Sequence, residues 1–198
     1  MQPEARAAEE TARSVAWAPL VQSGAVTLLP TLSPATSVFV ADMLRTGGPL
    51  DVLHFVGKGY VKDGEGHLVL DREDGNWAPT EASRLAPAIA NTGVGLVVLA
   101  SCQSASLDGV GEGLLGSVAP ALISHGVPVV VAMQFTMREP AVYTATRVIY
   151  EELAAGKSVQ AAVAAARLHL WTTEPERSSW YVPTVYTRSG SEQPMRLV

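Results

Sequence analysis

Apolar residues in this chain fall into short unbroken runs separated by longer stretches where they recur every three or four positions, the pattern of buried strands alternating with amphipathic helices. An Ala/Glu/Arg-rich opening predicts a helix from Pro3 to Trp17 that ends near Pro19, and a β-branched stretch, Ala25 to Leu29, predicts a strand. Ser33-Pro34 supplies an N-cap with proline at the first helical position, and Val38, Val40, Ala41 and Leu44 give that helix an apolar face as far as Gly47-Gly48. Leu50 to Val56 is a buried parallel strand by composition, and it feeds a turn at Gly57-Lys58-Gly59. Gly64 to Leu70 reads as a small hairpin strand and Pro79 to Ala90 as a helix. Gly95 to Cys102 reads as a central strand that delivers Cys102 at its carboxyl end, where open α/β sheets place their chemistry. A helix from Gly111 to Ser124, a buried strand from Val127 to Met133, helices over Ala141–Leu153 and Val159–Leu170, and a last strand from Val182 to Thr187 complete the pattern. Strands alternating with crossover helices call for an α/β fold with a mainly parallel sheet covered on both faces. Trp171 and Trp180 are expected to close the core.

The chain has 198 residues, 47% of them hydrophobic and 17% charged, which fits one folded domain: a lead-in helix in 1–24, a core over 25–187 and a tail at 188–198. A net charge of -5 gives nucleic acid no electrostatic footprint. The longest apolar run, 127–133, is far below the roughly 20 residues of a membrane span. Glu4, Glu9 and Glu10 near the start do not fit a signal peptide. The single cysteine, Cys102, rules out an internal disulfide or a multi-cysteine metal centre and points to the cytosol; no metal or cofactor is expected.

Two strand ends pair a buried run with an abrupt small or polar turn: His54-Phe55-Val56-Gly57-Lys58-Gly59-Tyr60 and Leu99-Ala100-Ser101-Cys102-Gln103-Ser104-Ala105. Together they resemble the CHAT domain, a bacterial relative of the caspase and separase cysteine peptidases. Gly126 to Phe135, Tyr150 to Ser158 and Ala161 to Arg167 are similar to that family in the same order, so the resemblance runs from about Ala25 to Tyr186. It implies a caspase-like, Rossmann-type three-layer sandwich in which a histidine and a cysteine at neighbouring strand ends form a dyad. It also implies that Cys102 is the nucleophile, that the backbone N–H groups of Gly59 and Cys102 form an oxyanion hole, and that Gln103 and Ser104 adjoin the substrate cleft. Gln134, ending the next strand, lines a substrate groove or caps a turn. Read without the family, Cys102 is more simply a buried small hydrophobe at a strand end, and Asp108 and Glu112 are first-turn helix acids.

This sequence departs from the family at the histidine. The usual pattern is His-Phe-x-Gly-His-Gly with the second histidine catalytic, and here Lys58 stands in its place while His54 matches the first, noncatalytic one. A free thiol of pKa about 8.5 is only slightly ionised at neutral pH, and a positioned acid or base contributes about 10²–10⁴-fold in rate. An ordinary lysine is protonated at neutral pH, and converting it to a base there costs about 4 kcal/mol. A protonated lysine favours the thiolate but leaves no matched acid for a departing amine. His54 lies about 13 Å of extended chain before position 58 and is expected to pack inside. His67 reads as a solvated strand residue, His125 as a helix-end residue, and His169 as a capping or solvent-facing one.

Three readings follow. The chain is a pseudopeptidase that binds or regulates a protein partner in bacterial defence or signalling, an active or conditionally activated cysteine endopeptidase, or an enzyme disabled by an introduced lysine. The resemblance also implies a core strand ahead of the first helix, where only Met1-Gln2 stand. Either the chain is a fragment, or a companion chain supplies the strand, or the strand's two neighbours close directly.

Overall fold

The computed structural model describes residues 3–100, 118–135, 137–174 and 178–188. Their elements are α1 (Pro3–Gln22), α2 (Ser37–Thr46), β1 (Val52–Val56), β2 (Gly59–Lys62), β3 (Glu65–Asp71), β4 (Trp77–Glu81), α3 (Ala82–Asn91), β5 (Leu96–Ala100), α4 (Val118–Ser124), β6 (Val129–Met133), α5 (Glu139–Ala154), α6 (Val159–Thr173), a 3-10 turn (Ser178–Tyr181) and β7 (Pro183–Thr187). The main sheet has the order β1-β5-β6-β7. β1, β5 and β6 run parallel, and β7 closes the far edge antiparallel to β6.

The alternation of side chains along each strand divides the core into layers. Leu53, Phe55, Val97, Leu99, Val130 and Ala132 pack towards α2, α3 and α4. Val52, Leu96, Val98, Val129 and Val131 pack on the opposite face, against residues of α1, α5 and α6 such as Trp17, Ile149 and Val163. Every residue of β5 and β6 is buried, as strands covered on both faces require, whereas β1 is half-buried along its whole length. The three-layer α/β sandwich expected from the sequence is present.

A second, antiparallel sheet of order β2-β3-β4 leaves the end of β1. Its first hairpin turns on Asp63 and Gly64, with φ of 53° and 81°. Positive values at both positions define the two-residue turn that Asp-Gly favours. The sequence pattern predicts one strand here, from Gly64, and a helix from Pro79. Instead Pro79 pairs with Val69 in the edge strand β4, where a missing N–H is tolerated, and α3 begins after Glu81.

Three other boundaries differ from expectation. α1 continues through Pro19 to Gln22 and stops at Gly24, whose φ of 77° turns the chain. α2 is capped by Thr36, whose hydroxyl accepts from the Phe39 N–H at 3.2 Å, rather than by Ser33. Ala25 to Leu29 forms no strand and enters neither sheet. Trp171 and Trp180 are 54% and 41% exposed, so the core is closed by the buried Trp17 and Tyr150 instead.

Gly57 continues β1 under an aromatic lid. A Cβ at this position would lie 2.6 Å from the ring of the half-buried Phe55, which would have to shift to admit it. Gly57→Ala is expected to lower stability by about 1–3 kcal/mol through this overpacking. Urea unfolding checks the value, with Val61→Ala on the exposed part of β2 as a near-neutral comparison.

Candidate functional site

The carboxyl ends of β1, β5 and β6 lie along one rim, and their register determines what meets there. β1 pairs with β5 from Val52↔Leu96 to Val56↔Ala100. The ladder runs one residue further, through the Gly57 N–H donating to the Ala100 C=O at 3.1 Å. Lys58 is therefore the second residue beyond a position paired with Ala100, and Cys102 is the second residue beyond Ala100 in sequence. Cys102, Gln103, Ser104, Asp108 and Glu112 lie outside the described residues.

Lys58 is half-buried, and its C=O accepts from the Val69 N–H at 2.9 Å. Lys58 and Val69 thus form a hydrogen-bonded pair of the antiparallel ladder. Gly59 and Leu68, next in register, form the following non-hydrogen-bonded pair. The Gly59 N–H consequently points away from β3, on the outer edge of β2. Gly59 is buried and carries no Cβ to obstruct that approach.

On β6, Gln134 continues the rim. Its backbone N–H donates to the Val182 C=O at 3.0 Å, and its side-chain oxygen accepts from the Thr184 hydroxyl at 3.2 Å. Arg167 reinforces this corner by donating to the Pro183 C=O at 2.7 Å. Gln134 is thereby fastened to β7 as well as placed on the rim. Beside it, Phe135 meets Tyr181 edge-on at 5.9 Å, and Tyr181 meets Trp180 at 5.6 Å, forming an exposed aromatic cluster where the sequence places Trp180 in the core.

None of the four histidines stands at position 58. His54 lies on the face of β1 towards α1 and α5, where its Nδ1 hydrogen-bonds the Tyr150 hydroxyl at 2.9 Å and its ring packs 5.6 Å from the Tyr150 ring. It packs inside, as expected. His67 corrects the sequence reading: it is 8% exposed, its ring stacks on Tyr60 at 5.2 Å, and its Nδ1 donates to the Glu65 C=O at 3.1 Å. The cause is cross-strand pairing, since Tyr60 and His67 sit directly opposite each other in the ladder. His125 donates from Nδ1 to the Ala121 C=O at 2.8 Å and so closes the end of α4. His169 is half-buried on α6.

A mostly parallel sheet covered by helices on both faces is consistent with a caspase-like α/β sandwich. The family model described as CHAT domain matches residues 1–191. The chain belongs to the CHAT domain family, and with it to a caspase-like, peptidase-related fold. No curated protein matches it. Among the described residues no cluster of His, Cys, Asp or Glu is arranged to hold a metal, and no helix is long and apolar enough to cross a membrane.

The His54–Tyr150 contact joins the sheet to the helix layer. Tyr150→Phe is expected to lower stability by about 1 kcal/mol, the typical worth of one such hydrogen bond, as read by equilibrium unfolding.

Proposed function

We propose that this CHAT domain is a pseudopeptidase: a caspase-like module that binds or regulates a protein partner, in bacterial defence or signalling, and turns over peptide bonds poorly. The observation that carries the reading is the residue at the tip of β1. Where the family's catalytic histidine is expected, the chain has Lys58. Three of the four histidines are occupied structurally, His54 against Tyr150, His67 against Tyr60 and His125 at the end of α4.

On this reading Cys102 keeps the nucleophile position, and the Gly59 N–H keeps the place of an oxyanion donor. Gln103, Ser104 and Gln134 line the groove that receives the partner's peptide. The Lys58 ammonium favours the thiolate of Cys102 by Coulomb attraction, so the sulfur remains reactive towards an electrophile. Lysine does not exchange a proton with a leaving amine as readily as an imidazole does, so the acyl transfer that must expel that amine is slow. The compartment that suits one reduced thiol is the cytosol.

The test compares the chain with Lys58→His and Cys102→Ala on a peptide library and with iodoacetamide. The parent chain is expected to cleave about 10²–10⁴-fold more slowly than Lys58→His, the usual contribution of a positioned acid–base group. It should still be alkylated at Cys102, and Cys102→Ala should not. Cleavage by the parent at a rate close to that of Lys58→His, abolished in Cys102→Ala, would establish the active endopeptidase instead.

A further inference from the structure

A chain of three side chains runs from α6 to the tip of β6. The Arg167 guanidinium donates through Nε to the Pro183 C=O at 2.7 Å and through Nη2 to the Thr184 hydroxyl oxygen at 3.4 Å. The Thr184 hydroxyl in turn donates to the Gln134 side-chain oxygen at 3.2 Å. Arginine has N–H donors and no acceptor, so its bond to Thr184 uses a lone pair of the hydroxyl and leaves the one proton for an acceptor. Two oxygens stand within reach of that proton, Gln134 Oε1 at 3.2 Å and the Val182 C=O at 3.3 Å. Among the described residues no carboxylate neutralises Arg167, and its charge favours the oxygen end of the Gln134 carboxamide dipole turned towards it.

The consequence is a fixed direction for the amide nitrogen. The Gln134 main chain is held by its N–H on the Val182 C=O at 3.0 Å and its side-chain oxygen by Thr184, so the side chain's own donor, Nε2, is what remains. Among the described residues nothing accepts from Nε2, and Gln134 is half-buried. A partly buried amide N–H calls for an oxygen acceptor. The neighbours narrow which one. Phe135 follows Gln134 in the chain and Tyr181 precedes Val182; their rings meet at 5.9 Å, with Trp180 5.6 Å beyond, and all three are exposed. An aromatic surface beside a neutral donor suits a main-chain carbonyl flanked by a large apolar side chain better than a carboxylate, whose charge would lose water against the rings.

We propose that Arg167 and Thr184 are positioning residues. They hold the Gln134 carboxamide with its nitrogen towards the groove, where it donates to a main-chain carbonyl of an extended partner peptide whose neighbouring side chain, large and apolar, lies on Phe135 and Tyr181. The inference rests on the reading of the Cys102 rim as a peptide groove, and not on the chemistry of Lys58, since a domain that cleaves and one that only binds would use the same donor. Thr184 acts through Gln134 and touches no peptide itself.

The probes are acetyl-Phe-Ala-Ala chloromethyl ketone, the same compound with Asp for Phe, and iodoacetamide as an electrophile that carries no peptide. In the full chain the phenyl probe is expected to reach half its limiting rate of alkylation at a severalfold lower concentration than the Asp probe. Thr184→Val keeps the shape of the side chain and removes the hydroxyl. It should raise that concentration about three- to tenfold, the worth of one hydrogen bond, and leave the limiting rate and the reaction with iodoacetamide as they were. Thr184→Ser, which keeps the hydroxyl, should hold the parent value, and Arg167→Gln should lose as Thr184→Val does. A second readout needs no thiol: by NMR of the isotope-labelled chain, the Gln134 side-chain amide signals should move on titration with acetyl-Phe-Ala-Ala amide, and less so in Thr184→Val. Half-saturation unchanged in Thr184→Val, the same loss in Thr184→Ser, or Gln134 amide signals that stay in place at millimolar peptide would overturn the proposal. Failure of iodoacetamide to reach Cys102 would instead remove the reading of the thiol, and the amide titration would still decide the role of Gln134.

Discussion

The parallel register between β1 and β5 is the constraint on which the rest of this molecule depends. Pairing Val56 with Ala100, and extending the ladder through the Gly57 N–H, fixes which residues leave the sheet side by side. Because strand side chains alternate, a slip of one residue would exchange the two core faces of β1. Leu53 and Phe55 would then meet the α1 and α5 layer while His54 turned into the cluster beneath α2 and α3. The packing that fixes the register is also what brings the lysine turn to the rim where the cysteine-bearing segment begins.

Long, strongly patterned elements were legible in the sequence. The continuous runs at 96–100 and 129–133 could be little else but central strands, and α5 and α6 carry their apolar residues at helical spacing. The small sheet was harder to see because its decisive signals were local. Asp63-Gly64 marked a hairpin whose first strand is only four residues long, and Pro79, which also suits a helix start, sits in an edge strand. Trp171 and Trp180 were misplaced because aromatic size predicts burial only where a layer exists to cover it.

The candidate site was legible in the same uneven way. The alternating pattern placed Lys58 and Gly59 beyond the end of a buried strand, and the hairpin register then oriented the Gly59 N–H outward. Tertiary contacts that composition cannot express decided the histidines: His67 is buried because Tyr60 lies across the ladder, and His54 because Tyr150 approaches from a helix 96 residues away in sequence. The β-branched run at 25–29 had the composition of a strand but no ladder to join, so propensity without a pairing partner left it irregular.

These features describe a peptidase-related scaffold with Lys58 just beyond the end of β1. The most direct test of the central geometry is crosslinking in the Lys58→Cys variant, which carries two thiols, at position 58 and at Cys102. The account predicts that a short bis-maleimide consumes both thiols within a single chain, giving a monomeric product whose linked peptides span positions 58 and 102. Separate labelling of the two thiols, or crosslinks formed only between chains, would contradict it.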